Sequence, residues 1–206
     1  MTPQGRPKGE FRSARREGAP VSAAGPSVAM RQPPVRRNKP GLSLTLTVQY
    51  GVAPATLPAP AALRRWARAA AERAASVTVR FVGQREGRAL NAVYRGKKHA
   101  TNVLAFVYDV SPRVEGDIVL CAPVLRAEAR AQGKTFADHC AHLVVHGMLH
   151  LQGYDHDTAR AARTMEARET AILAGLGIPD PYASPVDARR MSGPRARSVD
   201  LLAEGR

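Results

Sequence analysis

Residues 135–156 read TFADHCAHLVVHGMLHLQGYDH. Thr135 followed by Asp138 is a capping-box-like start, with Asp where Glu or Gln is usual, and it predicts a helix running to about residue 151 and stopping at Gly153. Five of the six histidines of the chain fall in this stretch, at positions 139, 142, 146, 150 and 156. Residues four apart on a helix lie on one face, so His146 and His150 point the same way. Two imidazoles so placed can close on one zinc with bonds of about 2.0–2.1 Å. His156 follows after Gly153, and glycine accepts the left-handed conformation that ends a helix and reverses the chain. The reversal can return His156 over the other two. Phe136, Cys140, Leu143, Val144 and Leu151 occupy the opposite stripe and are expected in the core.

The offsets of His146, His150 and His156 are 0, +4 and +10, with glycine at +7. That equals the ligand spacing of metzincin proteases, H-E-x-x-H-x-x-G-x-x-H. Three protein ligands leave a fourth position for water, the mark of a catalytic ion. The expectation is one zinc per chain, although nickel, copper or iron can use the same donors. Metzincins place a glutamate base directly after the first histidine, whereas here that position is Gly147. A metzincin-type peptidase is therefore disfavoured, while zinc alone can still lower the pKa of bound water toward about 7. His142, one turn before His146, is expected to line the site. Asp155 could accept the second N–H of a ligand imidazole. His139 is expected on the surface.

Outward from this segment, residues 42–48 (LSLTLTV) alternate apolar and polar, the period of a half-buried strand. Pro58 and Pro60 open a helix over about 61–75, with Leu63, Trp66 and Ala70 on one stripe. Residues 76–82, 102–108 and 116–121 read as strands. Residues 85–94 read as a helix with Leu90 and Val93 turned inward, and further helices are expected over about 123–131 and 158–173. Mixed strands and helices without a long βαβ series predict an α+β fold: one domain, a small mixed sheet of about four strands, about five helices, and the metal site on a helix and its following turn.

The net charge is +14. Residues 1–42 carry nine Lys/Arg against two acids, with seven prolines and five glycines. They are expected to be a disordered basic extension. Residues 43–180 would form the domain and residues 181–206 a flexible tail. A basic excess draws polyanions, nucleic acid above all. The N-terminal residues have no apolar run of a secretory signal, no window has the roughly 18 apolar residues of a membrane span, and Cys121 and Cys140 suit a reducing compartment; the expectation is a cytoplasmic protein without a membrane partner.

The segment from His146 to His156 resembles the H-G-x-L-H-L-x-G-Y-D-H signature of the YbeY family. Residues 90–106 (LNAVYRGKKHATNVLAF) resemble that family's L-N-x-x-Y-R-x-K-D-x-x-T-D-V-L-S-F-P. Residues 115–119 and 172–182 add shorter matches, so that the likeness covers about residues 43–182. It implies a single-strand-specific, metal-dependent endoribonuclease of ribosomal RNA maturation, including 16S rRNA 3′ end processing, ribosome assembly and quality control. RNA of the small ribosomal subunit would be the partner. It also implies His146, His150 and His156 as zinc ligands and Arg95 as the functionally important arginine. Asn102, Ala105 and Val107 depart from the family's Asp, Ser and Pro. In such a site Arg95 could pair with a phosphate through two parallel N–H bonds, and Lys97 and Lys98 could hold neighbouring phosphates. A zinc peptidase and a non-catalytic ribosome-assembly factor are the competing readings.

Overall fold

The computed structural model describes residues 42–183. Residues 1–41 and 184–206, which hold the expected extension and most of the expected tail, lie outside the described residues. The elements are β1 (Leu44–Tyr50), α1 (Pro60–Ala70), β2 (Ala75–Val82), α2 (Gln84–Arg95), β3 (Val103–Asp109), β4 (Val114–Cys121), α3 (Ala122–Ala131), α4 (Phe136–Leu151) and α5 (Ala159–Gly175). The four strands form one sheet in the order β1-β2-β4-β3. β1 and β4 run parallel to β2, and β3 is antiparallel to β4. The fold is α+β, with the mixed sheet and five helices that the patterning predicts.

Alternation along the strands divides the sheet into two faces. Val77, Val79 and Phe81 of β2, with Val114, Ile118 and Leu120 of β4, join α1 and α4 in the main core. Val82, Leu104, Val119 and Cys121 point the other way and form a smaller cluster that Leu90 of α2 covers. α4 is the centre of the molecule: ten of its sixteen residues are buried, and it packs against α1, α3, α5, β3 and β4. A helix apolar on most sides has to be a central one.

Three expectations need correction. The first helix stops at Ala70, not 75, because Ala75 is already paired with Leu44 in the sheet. The break is held by Gln152, whose amide donates to Ala70 O at 2.9 Å and accepts from Glu72 N at 2.6 Å. Val93 is 76% exposed rather than inward; the buried residues of α2 are Gly87 and Asn91, on its other side. Pro181 and Tyr182, expected in the tail, are tied to the folded part: Lys134 donates to Pro181 O at 2.6 Å, and Tyr182 bonds Glu169.

Two glycines set how closely α4 meets the sheet. A Cβ on Gly147 would lie 2.9 Å from Ile118 of β4. A Cβ on Gly116 would lie 2.4 Å from Phe106 O and 2.7 Å from Leu151 of α4. Backbone cannot yield as a side-chain tip can. Gly116→Ala should therefore cost about 1–3 kcal/mol by overpacking, read as a lower denaturant midpoint with an unchanged m-value.

Candidate metal centre

α4 begins at Thr135, whose hydroxyl accepts from Asp138 N at 3.0 Å, the cap its sequence predicts. It ends in a Schellman arrangement around Gly153 (φ 91°). Tyr154 N donates to Leu149 O at 3.1 Å and Gly153 N to His150 O at 3.0 Å. The chain turns there, and Tyr154 OH bonds Glu72, which also receives Arg168 of α5. These ties fix the turn that carries His156.

His146, His150 and His156 are brought together. One ring nitrogen of each lies within 4.8 Å of a ring nitrogen of each other one. The ring of His156 is 5.0 Å from that of His150 and 5.6 Å from that of His146, centroid to centroid. His146 Nδ1 sits 2.8 Å from Glu169 Oε1, and His150 Nδ1 sits 3.0 Å from Tyr154 O. Both of these partners are acceptors, so each Nδ1 carries the proton and each Nε2 is left with a bare lone pair. The two Nε2 atoms face each other at 3.0 Å. Two lone pairs aimed at one point repel, and a cation between them removes the repulsion. Burial, then the neighbouring His146 and His156, push the His150 pKa down to about 4, which keeps that ring neutral and able to ligate. The donor set fits one metal ion held by three imidazoles.

Behind the triad lies Glu169, fully buried in α5. Burial alone would raise its pKa; hydrogen bonds with His142, His146 and Tyr182 overcome that and hold it down at about 2. Its Oε2 meets His142 Nε2 at 2.8 Å and accepts from Tyr182 OH. His142 thus stands behind His146 through a shared carboxylate. Asp155 lies beside His156, within 4.8 Å of its ring nitrogen, but its Oδ1 accepts from backbone instead, from His156 N at 2.6 Å and Asp157 N at 3.3 Å, shaping the turn. His139, expected on the surface, is buried, with Nε2 2.8 Å from Glu128. Cys121 and Cys140 are buried free thiols. Arg95, Lys97 and Lys98 are exposed at the end of α2 and just beyond it.

Glu169 and Tyr182 escape a reading by spacing because nothing near them in sequence is a ligand. One signal was there. Met165, Glu169, Ile172 and Leu173 are the buried residues of α5, so a carboxylate stands inside an apolar stripe, where it needs a partner.

The profile of the Endoribonuclease YbeY family matches residues 60–177. The endoribonuclease YbeY of Aromatoleum aromaticum is 56% identical over 143 residues, covering 68% of this chain and 93% of that protein. The chain belongs to the YbeY family. The YbeY protein of Bordetella avium is 53% identical over 160 residues, covering 72% of this chain and 98% of its own length. All three histidines, Glu169 and Arg95 lie inside the YbeY segment, and Tyr182 follows just after it.

A carboxylate on the back of a ligand imidazole orients the ring and raises its basicity. Glu169→Gln should lower metal affinity about 10- to 100-fold, measured by competition with a chromogenic chelator, with the fold retained by circular dichroism.

Proposed function

We propose that the protein is a zinc-dependent endoribonuclease that cuts single-stranded RNA and serves ribosomal RNA maturation, including 16S rRNA 3′ end processing, ribosome assembly and quality control. The observation that carries the reading is the pair of imidazole lone pairs facing each other at 3.0 Å, with His156 beside them. Membership of a family whose relatives are named endoribonucleases supports RNA as the substrate. No helix of the described residues is long and apolar enough to cross a membrane.

His146, His150 and His156 hold the zinc. When bound, zinc supplies a Lewis acid for a phosphoryl oxygen and lowers the pKa of a bound water. Glu169 keeps His146 in the tautomer that presents Nε2, and Tyr154 O does the same for His150. His142 and Tyr182 spread the charge of Glu169 through hydrogen bonds. Cleavage of a phosphodiester builds negative charge on the phosphate, so a site for it needs cations more than a carboxylate base. Arg95 supplies a planar bidentate partner for a phosphate, and Lys97 and Lys98 take adjacent phosphates as point charges.

The metzincin-like spacing favours a peptidase, but the contact of Gly147 with Ile118 argues against it. The position that carries a metzincin's base is here filled by a close helix–sheet approach, with no room for a carboxylate.

Two variants test the assignment. His146→Ala should lose both metal, by elemental analysis, and cleavage of a labelled single-stranded RNA. Arg95→Ala should keep metal and fold yet lose cleavage by about 100-fold or more, the scale of one lost charge-stabilising contact. Cleavage by metal-free wild type, or full cleavage by Arg95→Ala, would overturn the corresponding role.

A further inference from the structure

The last turn of α2 and the edge strand β3 carry an aromatic row that the metal chemistry does not use. Tyr94 is 62% exposed and Tyr108 66% exposed. Tyr94 rests edge-on against Phe106, with ring centroids 4.7 Å apart. Phe106 pairs across the strands with Asp117, the residue that Tyr108 reaches from the irregular end of β3. Tyr108 OH donates to Asp117 Oδ2 at 2.7 Å. That bond, then loss of water and the charge of Asp117, push its pKa up to about 12. Each ring is anchored at one point and otherwise open to solvent. Large apolar groups exposed side by side mark a binding surface.

The charge beside them selects the occupant. Residues 87–102 contain Arg88, Arg95, Lys97 and Lys98 and no acid. The acids at the far end of the row are engaged: Asp117 by Tyr108, Glu115 by Arg113 at 2.6 Å, and Asp109 by the N–H groups of Val110 and Ser111. Cations flanking open aromatic rings suit a ligand with phosphates on one side and flat rings on the other. Addition of a peptide strand to β3 is opposed by the register shift between Val107 and Asp109, which breaks the edge ladder.

We propose that Tyr94 and Tyr108 are a stacking platform for unpaired bases of the RNA, with Arg95, Lys97 and Lys98 holding the phosphates between them. The inference rests on the reading of the protein as a ribonuclease. It gives that reading a physical source of strand preference, because bases locked in a duplex cannot stack on a protein ring without leaving their partners.

The test is fluorescence anisotropy with full-length protein in chelator, so that nothing is cut, using a short single-stranded oligoribonucleotide and an abasic strand of the same length. Tyr94→Ala and Tyr108→Ala should each weaken binding of the base-bearing strand about 5- to 150-fold and leave the abasic strand unchanged. Tyr94→Phe should bind as wild type, and Tyr94→Leu, which keeps an apolar contact with Phe106, should behave like Tyr94→Ala. Arg95→Ala should weaken both strands alike. The platform is overturned if the tyrosine variants, folded by thermal unfolding, bind the base-bearing strand as wild type does. It is equally overturned if they instead abolish a concentration-dependent self-association, which would make the row a contact between copies. Wild type that binds neither strand sinks the ribonuclease reading itself, a result distinct from either of these.

Discussion

Two imidazole nitrogens facing each other at 3.0 Å with their protons on the far side of each ring is an arrangement that costs energy unless a cation lies between them. What keeps it in place is the hydrogen bonding at the back of each ring. Glu169 holds His146, and the carbonyl oxygen of Tyr154 holds His150. The second of these is a consequence of the helix end, because the Schellman turn at Gly153 is what puts that carbonyl beneath the ring. Helix termination and ligand orientation are one structural event.

The buried Glu169 explains why α5 and the chain after it belong to the site. A carboxylate with no solvent exposure needs hydrogen-bond donors on both oxygens, and here His146 meets one while His142 and Tyr182 meet the other. α5 is bound to α4 by a charged contact as well as by Met165, Ile172 and Leu173. Loss of metal and loosening of the α4–α5 interface are coupled on this account, since both act on His146.

Gly147 shows how a single position serves packing and chemistry together. Its missing side chain lets α4 lie against Ile118, and the same absence removes the base that a peptidase of this ligand spacing would use. The three imidazoles are left without a carboxylate directly after His146.

Much of this was legible in the chain itself. The spacing of His146, His150 and His156 around Gly153 follows from helical periodicity and from the one residue type that reverses a helix cheaply, both local properties. The strands of the sheet and the capped start of α4 are local in the same sense. Tertiary structure alone decided that Glu169 backs His146, that Asp155 serves the turn rather than a ring, that His139 is buried, and that Val93 is not. Each of those outcomes depends on which helix packs on which face, and a carboxylate 23 residues away meets its imidazole only when α4 and α5 are side by side. Periodicity fixes the direction a side chain leaves its own helix, whereas the group it meets is set by the packing of the rest of the chain.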